Sequence, residues 1–219
     1  MKKILWIPLM LLAVISLAAC GDSDDEPSAP DQSEQPDDNG SDTTTPGGNG
    51  HYLVVYFSHT GTTERIANEI RSALNCDLTE IIPQIPYPSG NELYDRAHAE
   101  QDAIDAGEFP AIATDIEDFE EYDLMFVGFP IWSNRAATPV LAFLHNYADK
   151  LTNKRIALFA SSGGSGITNS ANEIYRLVPE AIFMNETLLN VFDRSRIAAW
   201  LDQLGAGSEN KVEEETNGK

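Results

Sequence analysis

Three apolar runs constrain this chain more than any other feature: YLVVYF at 52–57, DLMFVG at 123–128 and RIALFA at 155–160. A strand with one wet face alternates apolar and polar residues, so runs this continuous belong to strands covered on both faces. Segments with helical spacing separate them. Ile66, Ile70, Ala73 and Leu74 share a face within 63–74, and Ile197, Trp200, Leu201 and Leu204 do so within 194–204. Val140, Leu141, Phe143 and Leu144 mark a helix over 138–147. Helices are also expected over 89–106 and 168–178, with a short second strand at 77–82 stopped by Pro83 and a modest last strand at 186–189. This alternation predicts an α/β fold, a doubly wound five-stranded parallel sheet with helices on both faces. The loops 58–63, 129–138 and 161–168 then meet at the carboxyl edge, where the strand order reverses.

The ends stand apart from this domain. Lys2 and Lys3 precede an apolar stretch over 4–19 that closes on Leu17-Ala18-Ala19-Cys20, the layout of a secretory signal. Sixteen helical residues span only about 24 Å, short of the roughly 30 Å hydrocarbon core. The Cys after Leu-Ala-Ala resembles the lipobox of bacterial lipoproteins. That resemblance implies removal of 1–19, diacylglycerol on Cys20 and attachment to a membrane through the N-terminal lipid, with palmitate among the acyl chains. Residues 21–50 carry nine acidic residues and no basic one among Ser, Thr, Pro, Gly, Gln and Asn, the composition of a solvated tether over 20–50. Gly21 followed by acidic residues also resembles a surface-export signal of some bacterial lipoproteins. The folded domain is expected over 51–205 and a polar tail over 206–219.

Setting aside those nine acids and the two leader lysines from totals of 35 acidic and 14 basic residues leaves 51–219 near −14. Nucleic acid is excluded as a partner, because phosphates need a basic footprint. With Cys20 under lipid, Cys76 has no disulfide partner, and nothing near it in sequence would lower its pKa, so it reads as a small buried residue. His51, His98 and His145 lack metal-ligand spacing and read as surface residues, with no metal expected. Tyr94, Asp95 and Arg96 begin a helix and face either a substrate or water.

The loop after the first strand, Ser58-His59-Thr60-Gly61-Thr62-Thr63, offers hydroxyls, backbone N–H groups and the positive end of a helix, and no cation. Such a loop holds a phosphate through dipoles alone. The plainer alternative is turn chemistry with Thr63 as the helix cap. The Gly-Lys-Ser/Thr ending of nucleotide-triphosphate loops is missing, and so is the dinucleotide glycine spacing. In the loop after the fourth strand, position 167 is Ile where a nucleophile elbow needs Gly, which argues against a serine hydrolase.

Taken in order, 58–63 resembles the Thr/Ser-x-Thr-Gly-x-Thr phosphate loop of flavodoxins. Val127-Gly128-Phe129-Pro130-Ile131-Trp132 resembles their Gly-x-Pro-x-Trp loop, and Ser161-Ser162-Gly163-Gly164-Ser165-Gly166 their Gly-rich loop. The resemblance covers 51–205 and implies strand order 2-1-3-4-5 with noncovalent flavin mononucleotide (FMN). It places Ser58, His59, Thr60, Gly61, Thr62 and Thr63 on the phosphate. Pro130, Ile131, Trp132, Ser133 and Asn134 fall beside the isoalloxazine, and Ser161, Ser162, Gly163, Gly164, Ser165 and Gly166 along its other edge. Trp132 either stacks on the ring or covers the core. The aromatic that flavodoxins commonly supply from the last of these loops is missing; Tyr87 substitutes for it, or that face is open to a substrate. A segment for covalent flavin attachment through threonine is absent.

No catalytic side chain is implied, since the flavin carries the chemistry. A site without a nearby cation makes the bound cofactor a stronger reductant than free FMN, unless Arg135 opposes this. Two functions follow. One is a lipid-anchored, extracytoplasmic electron-transfer flavoprotein or oxidoreductase, serving a redox partner with a basic docking face or a small acceptor such as a quinone. The other is a lipid-anchored binding module on the same scaffold without redox activity.

Overall fold

The computed structural model describes residues 51–189 and 194–206. The expected leader at 1–19, Cys20, the acidic tether to residue 50 and the tail from 207 onward lie outside the described residues. Strand β1 (Tyr52–Tyr56) leads into α1 (Thr62–Leu74), and β2 (Asp77–Glu80) into α2 (Asn91–Asp105). Strand β3 (Leu124–Trp132) turns directly into the two-residue β4 (Arg135–Ala136), which precedes α3 (Thr138–Asn146). Then come β5 (Arg155–Ser161), α4 (Thr168–Leu177), β6 (Ile182–Phe183), β7 (Thr187–Leu188) and α5 (Arg194–Gln203).

The parallel sheet runs β2-β1-β3-β5-β6, with β7 also on β5 and β4 antiparallel to β3. This is the expected doubly wound order, with the fifth strand in two pieces. The break falls where the Asn185 carbonyl accepts the Trp200 indole N–H (2.9 Å). On either side of it the Met184 and Leu189 N–H groups donate to β5, at the Ile156 and Ala160 carbonyls.

The apolar runs divide by parity, because side chains alternate across a strand. Leu53, Val55, Phe57, Met125, Val127, Ile156 and Leu158 pack with α2, α3 and α4 on one face. Tyr52, Val54, Tyr56, Leu124, Phe126, Ala157 and Phe159 pack with α1 and α5 on the other. Cys76 is buried in that second core, and burial and Asp77 push its thiol up to about 12, so it is inert at neutral pH. Ala206 is buried as well and donates its N–H to the Leu201 carbonyl, so the packed region runs one residue past 205.

Gly128 lies between Tyr56 and Phe159 in register, and a Cβ there would stand 2.1 Å from the Phe159 ring. The glycine is the recess that admits that ring. Gly128→Ala is expected to cost about 2–3 kcal/mol, the usual scale of overpacking. Urea denaturation measures it, and Phe159→Leu in the same chain should recover part of the loss.

Candidate functional site

Phe57 still belongs to the ladder, its N–H donating to the Gly128 carbonyl (3.0 Å), and the chain then leaves the sheet. Gly61 takes a left-handed conformation (φ 79°) at the N-cap of α1 without any side-chain cap. Thr63 is therefore not the cap that local chemistry allowed for. It sits inside the first turn, 1 % exposed, with its Oγ1 2.8 Å from the Ser161 Oγ. That bond ties the hydroxyl loop to the start of the Gly-rich loop across 98 residues. Thr60 and Thr62 hydroxyls stand 3.4 Å apart on the rim. The Ser58 Oγ is buried and has no hydrogen-bond partner among the described residues.

The segment 129–138 departs from expectation. Gly128 and Pro130 suggested a loop, yet β3 continues through Trp132 and folds back at Ser133-Asn134. Both turn residues are left-handed (φ 49° and 66°), the conformation of a tight two-residue hairpin. Three α2 residues one face apart hold it: His98 meets the Ser133 hydroxyl (2.5 Å), Gln101 donates to the Trp132 carbonyl (3.2 Å), and Asp105 receives a two-pronged contact from Arg135 (2.7 and 3.0 Å). Glu173 of α4 takes the other side of the same guanidinium. His98 is thus no idle surface residue, and Arg135 points neither to solvent nor freely at a ligand. Burial pulls the Arg135 pKa down, but the two carboxylates outweigh it and raise it.

Trp132 is 5 % exposed, its ring edge-on to Phe57, Tyr87 and His59 (centroids 5.5, 5.1 and 6.2 Å). The indole here packs against the core cluster. The His59 contact brings the hydroxyl loop against the β3 end, so all three predicted segments meet. Tyr87 is partly buried: its hydroxyl engages Glu100 and the Thr138 Oγ1 (2.8 Å), and Arg96 lies 3.9 Å above its ring. Burial first, then Glu100, pushes the Tyr87 hydroxyl well up. Arg96, expected to face substrate or water, is instead a latch. It pairs with Glu100 (2.7 Å) and donates to the Pro86 and Ile85 carbonyls, holding the Pro-rich approach against α2. In the Gly-rich loop, the Ser162 Oγ accepts the Gly164 and Ser165 N–H groups (3.1 and 2.7 Å).

The supporting residues escaped sequence reading. The spacing of His98, Gln101 and Asp105 marks one helical face, but not what that face touches.

The family model for flavodoxin matches residues 51–204. The chain belongs to the flavodoxin family. A candidate flavoprotein structure from Bacteroides eggerthii DSM 20697 is 37 % identical over 70 % of this chain and 97 % of its own, with a TM-score of 0.64. One from Bacteroides uniformis ATCC 8492 is 30 % identical over 70 % and 98 %, with a TM-score of 0.62. A flavoprotein from Lactobacillus acidophilus NCFM, solved in complex with FMN, shares the fold at 24 % identity over 69 % and 98 %, TM-score 0.58. None of the curated proteins matches the chain.

One electrostatic feature borders the flavodoxin loop. Burial and the neighbouring Glu64 hold the Glu80 carboxyl above its usual range, and burial with Glu80 and Glu64 pushes the Tyr56 hydroxyl up to about 12. A carboxyl raised in the folded state loses stability as pH climbs through its folded pKa, and costs nothing below the unfolded value of about 4.3. Glu80→Gln is expected to raise Tm at pH 7 by about 1–2 °C, kept small by solvent screening. Thermal melts across pH should show that gain vanish on acidification.

Proposed function

We propose that this flavodoxin binds FMN noncovalently and moves electrons at the outer side of a bacterial membrane, between protein partners or onto a small acceptor such as a quinone. The observation that carries the reading is the Ser58 Oγ, buried at the mouth of α1 without a partner among the described residues. Leaving a buried hydroxyl unpaired costs about 1–3 kcal/mol, which an incoming phosphate oxygen would recover. The first-turn N–H groups of α1 have no intrahelical acceptor and point the positive end of the helix to the same place. Added Cβ atoms at Gly163, Gly164 and Gly166 would meet nothing within 4 Å, so packing does not demand these glycines and they leave room for a flat ligand. The residues present fit the group.

FMN when bound would supply the electron chemistry that no side chain here provides. The protein's own residues divide the remaining work. Ser58, Thr60, Thr62 and Thr63 hold the phosphate, with His59 and Gly61 adding backbone N–H groups, and the Thr63–Ser161 bond fixes the phosphate loop against the ring loop. Pro130, Ile131, Trp132, Ser133 and Asn134 border the ring, while His98, Gln101 and Arg135 keep that turn from relaxing. Because Arg135 is held by Asp105 and Glu173, it offers little to negative charge gained on reduction, which favours a low potential. Tyr87 stands behind Trp132 in this reading. A domain near −12 suits a basic partner whose association weakens with salt.

Addition of FMN to the apoprotein should give a yellow complex that bleaches with dithionite; protein that stays colourless supports the non-redox binding module instead. Ser58→Ala should leave apoprotein stability unchanged or raised, since it removes an unsatisfied group, while FMN affinity falls about tenfold. A loss of stability with unchanged FMN affinity would reverse the assignment. For the anchor, Cys20→Ser should move the protein out of the membrane fraction and abolish incorporation of labelled palmitate.

A further inference from the structure

A cavity of about 610 Å³ opens between the end of α2, the 133–135 turn, α3 and α4, and no residue of the 58–63 loop lines it. Its size lies within the range of small-molecule pockets, about 300–1,000 Å³. Leu141, Leu177 and Phe109 form an apolar wall, and Phe109 is held in place by stacking on His145 (3.9 Å between centroids, 5° between planes). Along the other wall, Asn169, Asn172 and Arg176 recur at i, i+3 and i+7 on α4, so all three face the same opening.

The charges around this opening differ from those of the domain. Asp105, Glu173, Arg135 and Arg176 give the lining two negative and two positive groups, a neutral setting in a domain near −12. Asp105 and Glu173 are both committed to Arg135. Arg176 has no ion-pair or hydrogen-bond partner among the described residues, and neither do the side-chain amides of Asn169 and Asn172. A free guanidinium flanked by two amides, over an apolar floor, matches a ligand with a flat hydrocarbon body and one anionic end.

We propose that this cavity binds a small carboxylated arene, its ring on Leu141, Leu177 and Phe109 and its carboxylate on Arg176, with Asn169 and Asn172 donating. The carboxylate contact at Arg176 uses no residue of the proposed FMN site. One extension does rest on the FMN reading: Ser133 and Asn134 line this cavity and also belong to the proposed ring site, so a quinone bearing a carboxylate is the acceptor class that fits both.

The probes are 2-naphthoate and its neutral counterpart 2-naphthamide, titrated into the full chain with and without FMN and followed by amide chemical shifts. The naphthoate should saturate, shifting residues in 133–135 and 169–177. Arg176→Gln should weaken naphthoate about tenfold while changing naphthamide and FMN affinities by less than about twofold, since only the charge-assisted contact is lost. Naphthoate that does not saturate, that shifts residues elsewhere, or that binds Arg176→Gln as tightly as the parent overturns the proposal. Because FMN affinity is read in the same samples, failure of this site and failure of the FMN site give different results.

Discussion

A sheet whose central strands are apolar on both faces has no room for polar chemistry within it. Tyr52 to Phe57, Leu124 to Phe129 and Ile156 to Ala160 are all buried, and helices close over them from each side. Every hydroxyl, amide and charge that a ligand could use must therefore sit where the strands end. The parallel crossovers bring the exits of β1, β3 and β5 to one edge. The hydrogen bond between Thr63 and Ser161 is the point at which two of those exits are joined. Its two partners are nearly as buried as the core beneath them.

What the loop itself offers an anion is dipolar, and the Arg65 guanidinium stands beside it, its Nε donating to the Gly61 carbonyl (3.3 Å). The hydroxyl loop has no lysine or arginine, and burial together with the Glu64 carboxylate raises the Glu80 pKa. Glu64 also occupies the first turn of α1, where it competes for the same helix dipole that a phosphate would use. Binding under these conditions depends on geometry more than on net charge. Gly61 in its left-handed conformation and the rigid 133–134 hairpin are accordingly as much a part of the site as the groups that would touch a ligand.

The strands and the three convergent segments were legible because continuous apolar runs and hydroxyl-glycine loops are local signals, while the strand order rested on the likeness of those loops to flavodoxins. The end of β3 was not. Glycine and proline usually punctuate a strand, and here both lie inside one. Gly128 is required by the ring of a neighbouring strand, a long-range fact. Pro130 lies past the last β1 partner of β3, at the open end of the short β3–β4 hairpin, where its carbonyl still accepts the Ala137 N–H (3.2 Å) and only one donor is missing. The division of the last strand likewise depends on a distant indole, that of Trp200. The residues that hold the site in shape, among them His98, Gln101, Arg96 and Glu173, were hidden for the same reason: polar residues on helices announce a face, and only the fold says what lies opposite.

The central claim is that uncharged groups at the exit of β1 recognise a phosphate dianion. The most direct measurement is the affinity of the apoprotein for FMN against riboflavin, which differ only in that phosphate, titrated in parallel at one salt concentration. The account predicts that FMN binds on the order of 100-fold more tightly, as several hydrogen bonds to a doubly charged group require. Equal affinities would mean that the loop at 58–63 does not hold the phosphate, and would contradict the site described here.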